Sequence, residues 1–519
     1  MHRGLLIPEV VELICGVAEF STLAALARTC HSFQPPALAV LWETQTSLFQ
    51  LLKCLPSDLV EVVPPQGQDF ATNLRFQRAI MPADLPRMLF YAALVKNFIE
   101  TAGSPIPPDT YAALSIVLPA SQPPLFPSLR HLTWRVISDG IFPYFRILAG
   151  SKLRSINVTL RGSQFIRSAL LPYLTTFHPK LTRIELGPAI MDTPILTQAV
   201  HSALRSLNHL ERLTIDSLDG PTLLHLAGLP NLNALHIRTL GADRTEIAGG
   251  GPIFTALREF VTYSESIKPL TRFLDAIDSD TVNKVDLTIE STAVPEEWPN
   301  LTSSVARNSG KLTKLYLQQR FSFDHEIPDV LERMLPAESF RPLLTCTNLT
   351  EVHIVIGHGI DIDNAFLKQM AHAWPRLRTL DLSPGCQSAR YEPRATLAGL
   401  IPLAQHCPCL EFLALVFDAT LVDPHAKEKP GAGISNLALV ELDVVQSPID
   451  SAAAVASFLS AIFPNLQMVS SREEGWNVLI QDGEEILLAW ASVGELVQVI
   501  SSARAQEHYV PDIMLVDGE

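Results

Sequence analysis

The chain is poor in aromatic residues, which make up 7% of its 519 positions, and it carries no dense run of lysine or arginine. With a net charge of −15, general nucleic-acid binding is not expected, because that task needs a basic surface to displace counterions. Phosphate-binding loops are missing as well. No G-x-G-x-x-G or Walker-type sequence occurs, and Gly249–Gly251 reads as an isolated loop cluster. There is no G-x-S-x-G, no H-E-x-x-H and no evident Ser/His/Asp set, so the expectation is a protein without catalysis or cofactor. Cys15, Cys30, Cys54, Cys346, Cys386, Cys407 and Cys409 are odd in number and widely spaced. They do not resemble a disulfide framework, and reduced thiols of a cytosolic or nuclear compartment are expected. Pro8, Glu9 and Glu12 interrupt the first apolar run too early for a signal-peptide core. No segment reaches the roughly 20 uninterrupted apolar residues of a membrane span; the nearest, Ile486–Ile500, contains Glu495, so no membrane partner is expected.

What the chain has is a repeat. The pattern apolar-x-x-apolar-x-apolar starts at Leu129, Leu153, Leu181, Leu210, Leu232, Leu257, Val282, Leu312, Leu349, Leu377, Leu410, Leu437 and Leu466, with Leu257 and Leu466 degenerate. Six of these starts have proline two residues earlier: Pro127, Pro179, Pro230, Pro375, Pro408 and Pro464. Proline halts a helix and favours extended backbone, so each marks a helix-to-strand junction. Between the strands lie helical patterns, as at Ile195–Arg205, Asp363–Ala373 and Ser451–Ile462. One short strand and one helix per unit resembles the long class of leucine-rich repeats. That resemblance implies an α/β solenoid, with a curved parallel sheet inside and helices outside.

Upstream, three short amphipathic helices are expected. The sequence L-I-P-E at Leu6–Glu9 is followed by Ile14, then Leu23, Leu26, Cys30 and Phe33, and a closing Leu41–Trp42. This resembles the F-box motif. The resemblance implies docking of Leu6, Ile7, Pro8, Glu9, Ile14, Leu23, Leu26, Cys30, Phe33, Leu41 and Trp42 onto the Skp-type adaptor of a cullin–RING (SCF-type) ubiquitin ligase. Val10, Leu13, Ile14 and Val17 form the apolar face expected of the first helix. The stretch Trp42–Asp58 and the segment Asp84–Phe98 look like the region after the F-box in the large F-box/leucine-rich-repeat families of mushroom-forming fungi. The organisation expected is an F-box-like segment at 1–45, a helical linker with a divergent first repeat (Val95, Phe98) at 46–124, repeats at 125–472 and a terminal cap at 473–519. Helices that merely cap the repeats, in a scaffold or inhibitor outside the ubiquitin system, remain the alternative.

Metal sites are not expected. His406-Cys407-Pro408-Cys409 supplies too few neighbouring ligands for zinc, and Asp361-Ile-Asp363-Asn364 lacks the glycine and glutamate of a calcium loop. His358 reads as a loop residue. The strand residues alternating with the leucines should line the open sheet face and meet an unknown target protein. Arg183, Arg212, His236, Lys284, Lys314, Tyr316 and His353 are the candidates, and their basic stripe suits an acidic or phosphorylated peptide. Leu439 is placed last in the first of the two outward columns, which makes the terminal repeats apolar there.

Overall fold

The computed structural model describes residues 7–63, 73–100, 106–118, 124–135, 140, 142–159, 163–187, 193–241, 253–290, 295–307, 310–320, 334–357, 359–384, 393–422, 430–445, 447–471 and 483–508. Leu6, the Gly249–Gly251 cluster, His358 and Cys386 lie outside them. The chain forms two compact units, Met1–Asn233 and Ala234–Glu519.

The first unit opens with helices α1 (Pro8–Val17), α2 (Phe20–Leu26) and α3 (Gln34–Glu43). A parallel ladder follows, made of β1 (Thr44–Gln45), β2 (Asn97–Glu100), β3 (His131–Trp134), β4 (Ser155–Val158), β5 (Arg183–Leu186) and β6 (Arg212–Ile215). The ladder thus begins at Thr44, well before the pattern becomes regular in the sequence. The second unit continues the same architecture. Its ladder strands are β7 (Ala234–Ile237), β8 (Glu259–Ser264), β9 (Lys284–Ile289), β10 (Lys314–Gln319), β11 (Glu351–Val355), β12 (Thr379–Asp381), β13 (Phe412–Ala414), β14 (Glu441–Asp443) and β15 (Met468–Ser470). Each unit is α/β and built as leucine-rich-repeat solenoid, with the strands parallel and the intervening helices packed on one sheet face.

Alternation explains the layering. In β9, Val285, Leu287 and Ile289 are buried under the helices, while Lys284, Asp286 and Thr288 are half-exposed on the other face. The leading apolar residues are in the core, among them Leu181, Leu312, Leu377 and Leu410, with Leu437 as the exception.

One junction recurs where a helix gives way to a strand. His178, Trp374, Cys407 and Phe463 each end a helix, their N–H donating to the carbonyl four residues back. Each is followed by proline, which cannot continue the helix. Each carbonyl then accepts from the N–H of the leading leucine three residues on, at 3.2, 3.1, 3.1 and 3.2 Å for Leu181, Leu377, Leu410 and Leu466. Helices start by side-chain capping: Thr193, Asp219, Asp363 and Ser451 accept from backbone N–H groups three residues ahead.

Two expectations are corrected. The repeat placed at Leu437 starts at Leu439, because β13 and β14 pair Phe412 with Glu441 and Leu413 with Leu442. Leu437 is 63% exposed and Leu439 fully buried, so Glu441 rather than Leu439 occupies the outward column. The terminal helix Gly483–His508 is, over Glu485–Arg504, long and apolar enough to cross a membrane by length and composition, with mean hydropathy 1.5. No such segment was expected. Its Trp490, Val493 and Val497 are buried, and Trp490 donates its indole N–H to the carbonyl of Ser447 at 2.8 Å. That face seals the end of the second ladder.

Candidate functional site

The three N-terminal helices have a core of their own. Val11 and Cys15 of α1, Leu23 of α2, Phe33 just before α3 and Ala37 within it are buried together, flanked by Ile14, Ala18, Leu26, Ala27, Val40 and Leu41. The buried face of α1 is therefore Val11, Ile14, Cys15 and Ala18, rotated from the Val10–Leu13–Ile14–Val17 face expected. Leu13 and Val17 stand one turn apart on the outer side, 72% and 87% exposed, and Phe20 at the start of α2 is 72% exposed. Leu13 and Val17 were expected on the covered face and Phe20 was not singled out, because α1 is apolar on both sides and the sequence does not tell which side is covered.

The expected docking residues divide accordingly. Ile7, Pro8, Glu9 and Cys30 are exposed. Ile14, Leu26 and Leu41 are half-buried against the helical core. Leu23 and Phe33 are buried inside it; they hold the helices together and have no surface to offer a partner. Trp42 is stacked on Tyr91 of the following repeat region.

The second candidate surface is the open sheet face. In the first unit, Arg183 and Arg212 are register partners on β5 and β6. Arg183 lies 3.9 Å from Glu211. His131, in the same column, is held below the usual histidine range, first by burial and then by Arg183 and Arg130.

In the second unit, register sets out two long outward columns and a shorter third, Tyr263, Thr288, Gln318 and Val355. The first runs Ala234, Glu259, Lys284, Lys314, Glu351, Thr379, Phe412, Glu441, Met468; the second runs His236, Val261, Asp286, Tyr316, His353, Asp381, Ala414, Asp443, Ser470. His236, Lys284, Lys314, Tyr316 and His353 are thus brought to one face, as expected. The stripe is not free positive charge. Lys284 Nζ is 3.1 Å from Glu259 Oε1 and 4.0 Å from Asp286, and Lys314 Nζ is 2.7 Å from Glu351 Oε1. The tyrosine hydroxyl of Tyr316 donates to the other Glu351 oxygen. Burial pushes the Glu351 carboxyl up, but the bonds from Lys314 and Tyr316 outweigh it and leave the group below its usual range. Burial, only partly offset by Lys284 and His236, raises the Asp286 carboxyl. The Tyr316 and His353 rings stack with centroids 4.8 Å apart, and Lys284 Nζ sits 5.7 Å from the Tyr316 ring centre.

The polar groups of this face are already committed to one another. His353 Nδ1 lies 3.6 Å from Asp381, while the Ser383 hydroxyl donates to that same carboxylate. Both groups address Asp381, so the imidazole does not activate the serine. Asp381 and Asp443 turn an oxygen onto the N–H of Ser383 and Val445, at 3.1 and 2.9 Å, and so end their strands after three residues. Among the described residues, no three His, Cys, Asp or Glu side chains gather as a metal set. Cys407 is buried, its thiol against the carbonyls of Ala371 and Trp374. Asp361 and Asp363 are each 2.9 Å from Arg394, and Asp363 also caps the following helix.

No family model matches the chain, and no curated protein matches it. Among solved structures, the chain is similar to the crystal structure of a Rad7 and Elc1 complex in yeast, with 13% sequence identity, 90% of this chain and 93% of that chain covered, and a TM-score of 0.42. A likeness of that degree carries no argument about what this chain does.

Proposed function

We propose that the chain is a non-catalytic substrate-recognition subunit of an SCF-type cullin–RING ubiquitin ligase, working in the cytoplasm or nucleus. Its helices dock onto a Skp-type adaptor, and through it the cullin, while the repeats hold a target protein. The motif from Ile7 to Trp42 supports this reading. The observation that carries it is the exposure of Leu13, Val17 and Phe20 on a helical segment that already has its own core. Large apolar side chains grouped on a surface favour a partner that removes them from water. Ile7, Pro8 and Glu9 lie at the start of the same helix and extend the surface. The mechanism is proximity, since a rigid repeat array holds a lysine of the target near a ubiquitin-charged enzyme.

Co-expression with a Skp-type adaptor tests this. The wild-type chain should co-purify with it, and the variant Leu13→Asp with Val17→Asp should not, while its circular dichroism and unfolding transition stay unchanged.

A second reading has its own support. Helix α3 runs directly into β1, and Lys96 N–H donates to the Glu43 carbonyl at 2.9 Å, so the helices also close the edge of the first ladder. A wild-type chain that leaves the adaptor behind makes capping their whole role, and the protein a scaffold.

A further inference from the structure

The charges on the open face of the Ala234–Glu519 unit do not cancel. Asp381 and Asp443 are bound to their own backbone. Of the rest, Glu259 and Glu351 are matched by Lys284 and Lys314. Among the described residues Asp286 has one ion pair, with the shared Lys284 at 4.0 Å, and it faces the imidazoles of His236 and His353. Glu441, which register brings into the same column as Phe412, has no ion pair among the described residues. Beside Asp286, in register, stand the stacked rings of Tyr316 and His353. The Tyr316 ring already carries one ammonium group over its face.

We propose that this face receives a lysine- or arginine-bearing segment of a partner protein, its cations set against Asp286 and Glu441 and an aliphatic stem laid on Tyr316 and His353. The inference rests on the reading that the repeat face holds the target, and it reverses the charge expected of that target from the lysine stripe. Carboxylates in excess attract a cation, and the half-buried edges of the stacked rings offer apolar surface to the aliphatic stem of arginine or lysine.

Fluorescence anisotropy of the full chain tests it with two labelled nonapeptides, one alternating arginine and lysine with glycine and serine, the other carrying phosphoserine instead. The basic peptide should bind, more weakly as salt is raised. Asp286→Asn with Glu441→Gln should weaken it about tenfold, at about threefold per lost partner. Asp280→Asn with Glu296→Gln changes net charge equally at exposed positions off this face and should leave binding unaltered. Lys314→Met should tighten it. Equal weakening by both double variants, tighter binding of the phosphoserine peptide, or no binding of the basic peptide overturns the proposal. Adaptor co-purification is read separately: its failure in the wild type, with basic-peptide binding intact, removes the ligase reading and leaves this one standing.

Discussion

The indole of Trp42 lies on the ring of Tyr91, centroids 4.5 Å apart and planes inclined by 22°. Trp42 closes α3 and Tyr91 sits in the helix Pro86–Ala92, so one stacked pair ties the helical segment to the first repeats. Trp42→Ala should therefore cost about 2 kcal/mol of stability through lost stacking and burial. Urea unfolding should show it, together with faster proteolysis near residue 43. Unchanged stability would mean that the helices and repeats are not coupled through this contact.

His178 gives the first unit an acid limit. Its ring is buried with neither nitrogen hydrogen-bonded, and burial holds its pKa below the ordinary histidine value. The unfolded chain then takes up the proton first. This contribution to stability is complete above the unfolded pKa, about 6.5, and falls away as pH drops through the folded one. Melting temperatures between pH 7 and pH 5 should decline less steeply in His178→Leu than in the wild type.

Thiol reactivity should separate two cysteines two residues apart. Burial pushes the Cys407 thiol up to about 12, whereas Cys409 is exposed. Iodoacetamide at pH 8 should label Cys409 and Cys30 in the native protein and reach Cys407 only after denaturation. Peptide mapping by mass spectrometry reads the outcome, and native labelling of Cys407 would contradict its place in the junction.

Gly399 has no room for a side chain. A Cβ there would lie 2.4 Å from Asn364 Oδ1 and 2.8 Å from a methyl of Leu367. Asn364 is itself engaged, accepting from Thr396 N–H and donating to its hydroxyl, each at 2.9 Å. Gly399→Ala should destabilise the second unit by about 1–3 kcal/mol, measurable by thermal unfolding; a neutral result would show that the Asn364 bridge can move aside.

Much of this architecture is legible before any coordinates. Leucine spacing and the prolines two residues ahead give most ladder strands in their right register, because the same junction is encoded locally each time. The places that fail share a cause. LALVEL and LVELDV both satisfy the pattern around residue 440, and only packing shows that Leu439 goes inward. In α1, Cys15 and Ala18 are weak apolar signals in a sequence but fill the crowded side, leaving Leu13 and Val17 outside.

Which residues share the open face was legible in the sequence, and the charge left on that face was not. Lys284 and Lys314 read as a positive stripe, yet their partners Glu259 and Glu351 lie 25 and 37 positions away. Local spacing reports which residues share a face; pairing across repeats of unequal length decides what charge remains on it.

The recurring helix-to-strand junction makes the second ladder divisible. Cutting out residues 375–407 would splice Trp374 to Pro408 and recreate the same joint, with Leu410 where Leu377 had been. An insertion or loss bounded by two such joints changes the array by whole windings. A chain assembled in this way can be lengthened or trimmed while each remaining module folds by the same local rules.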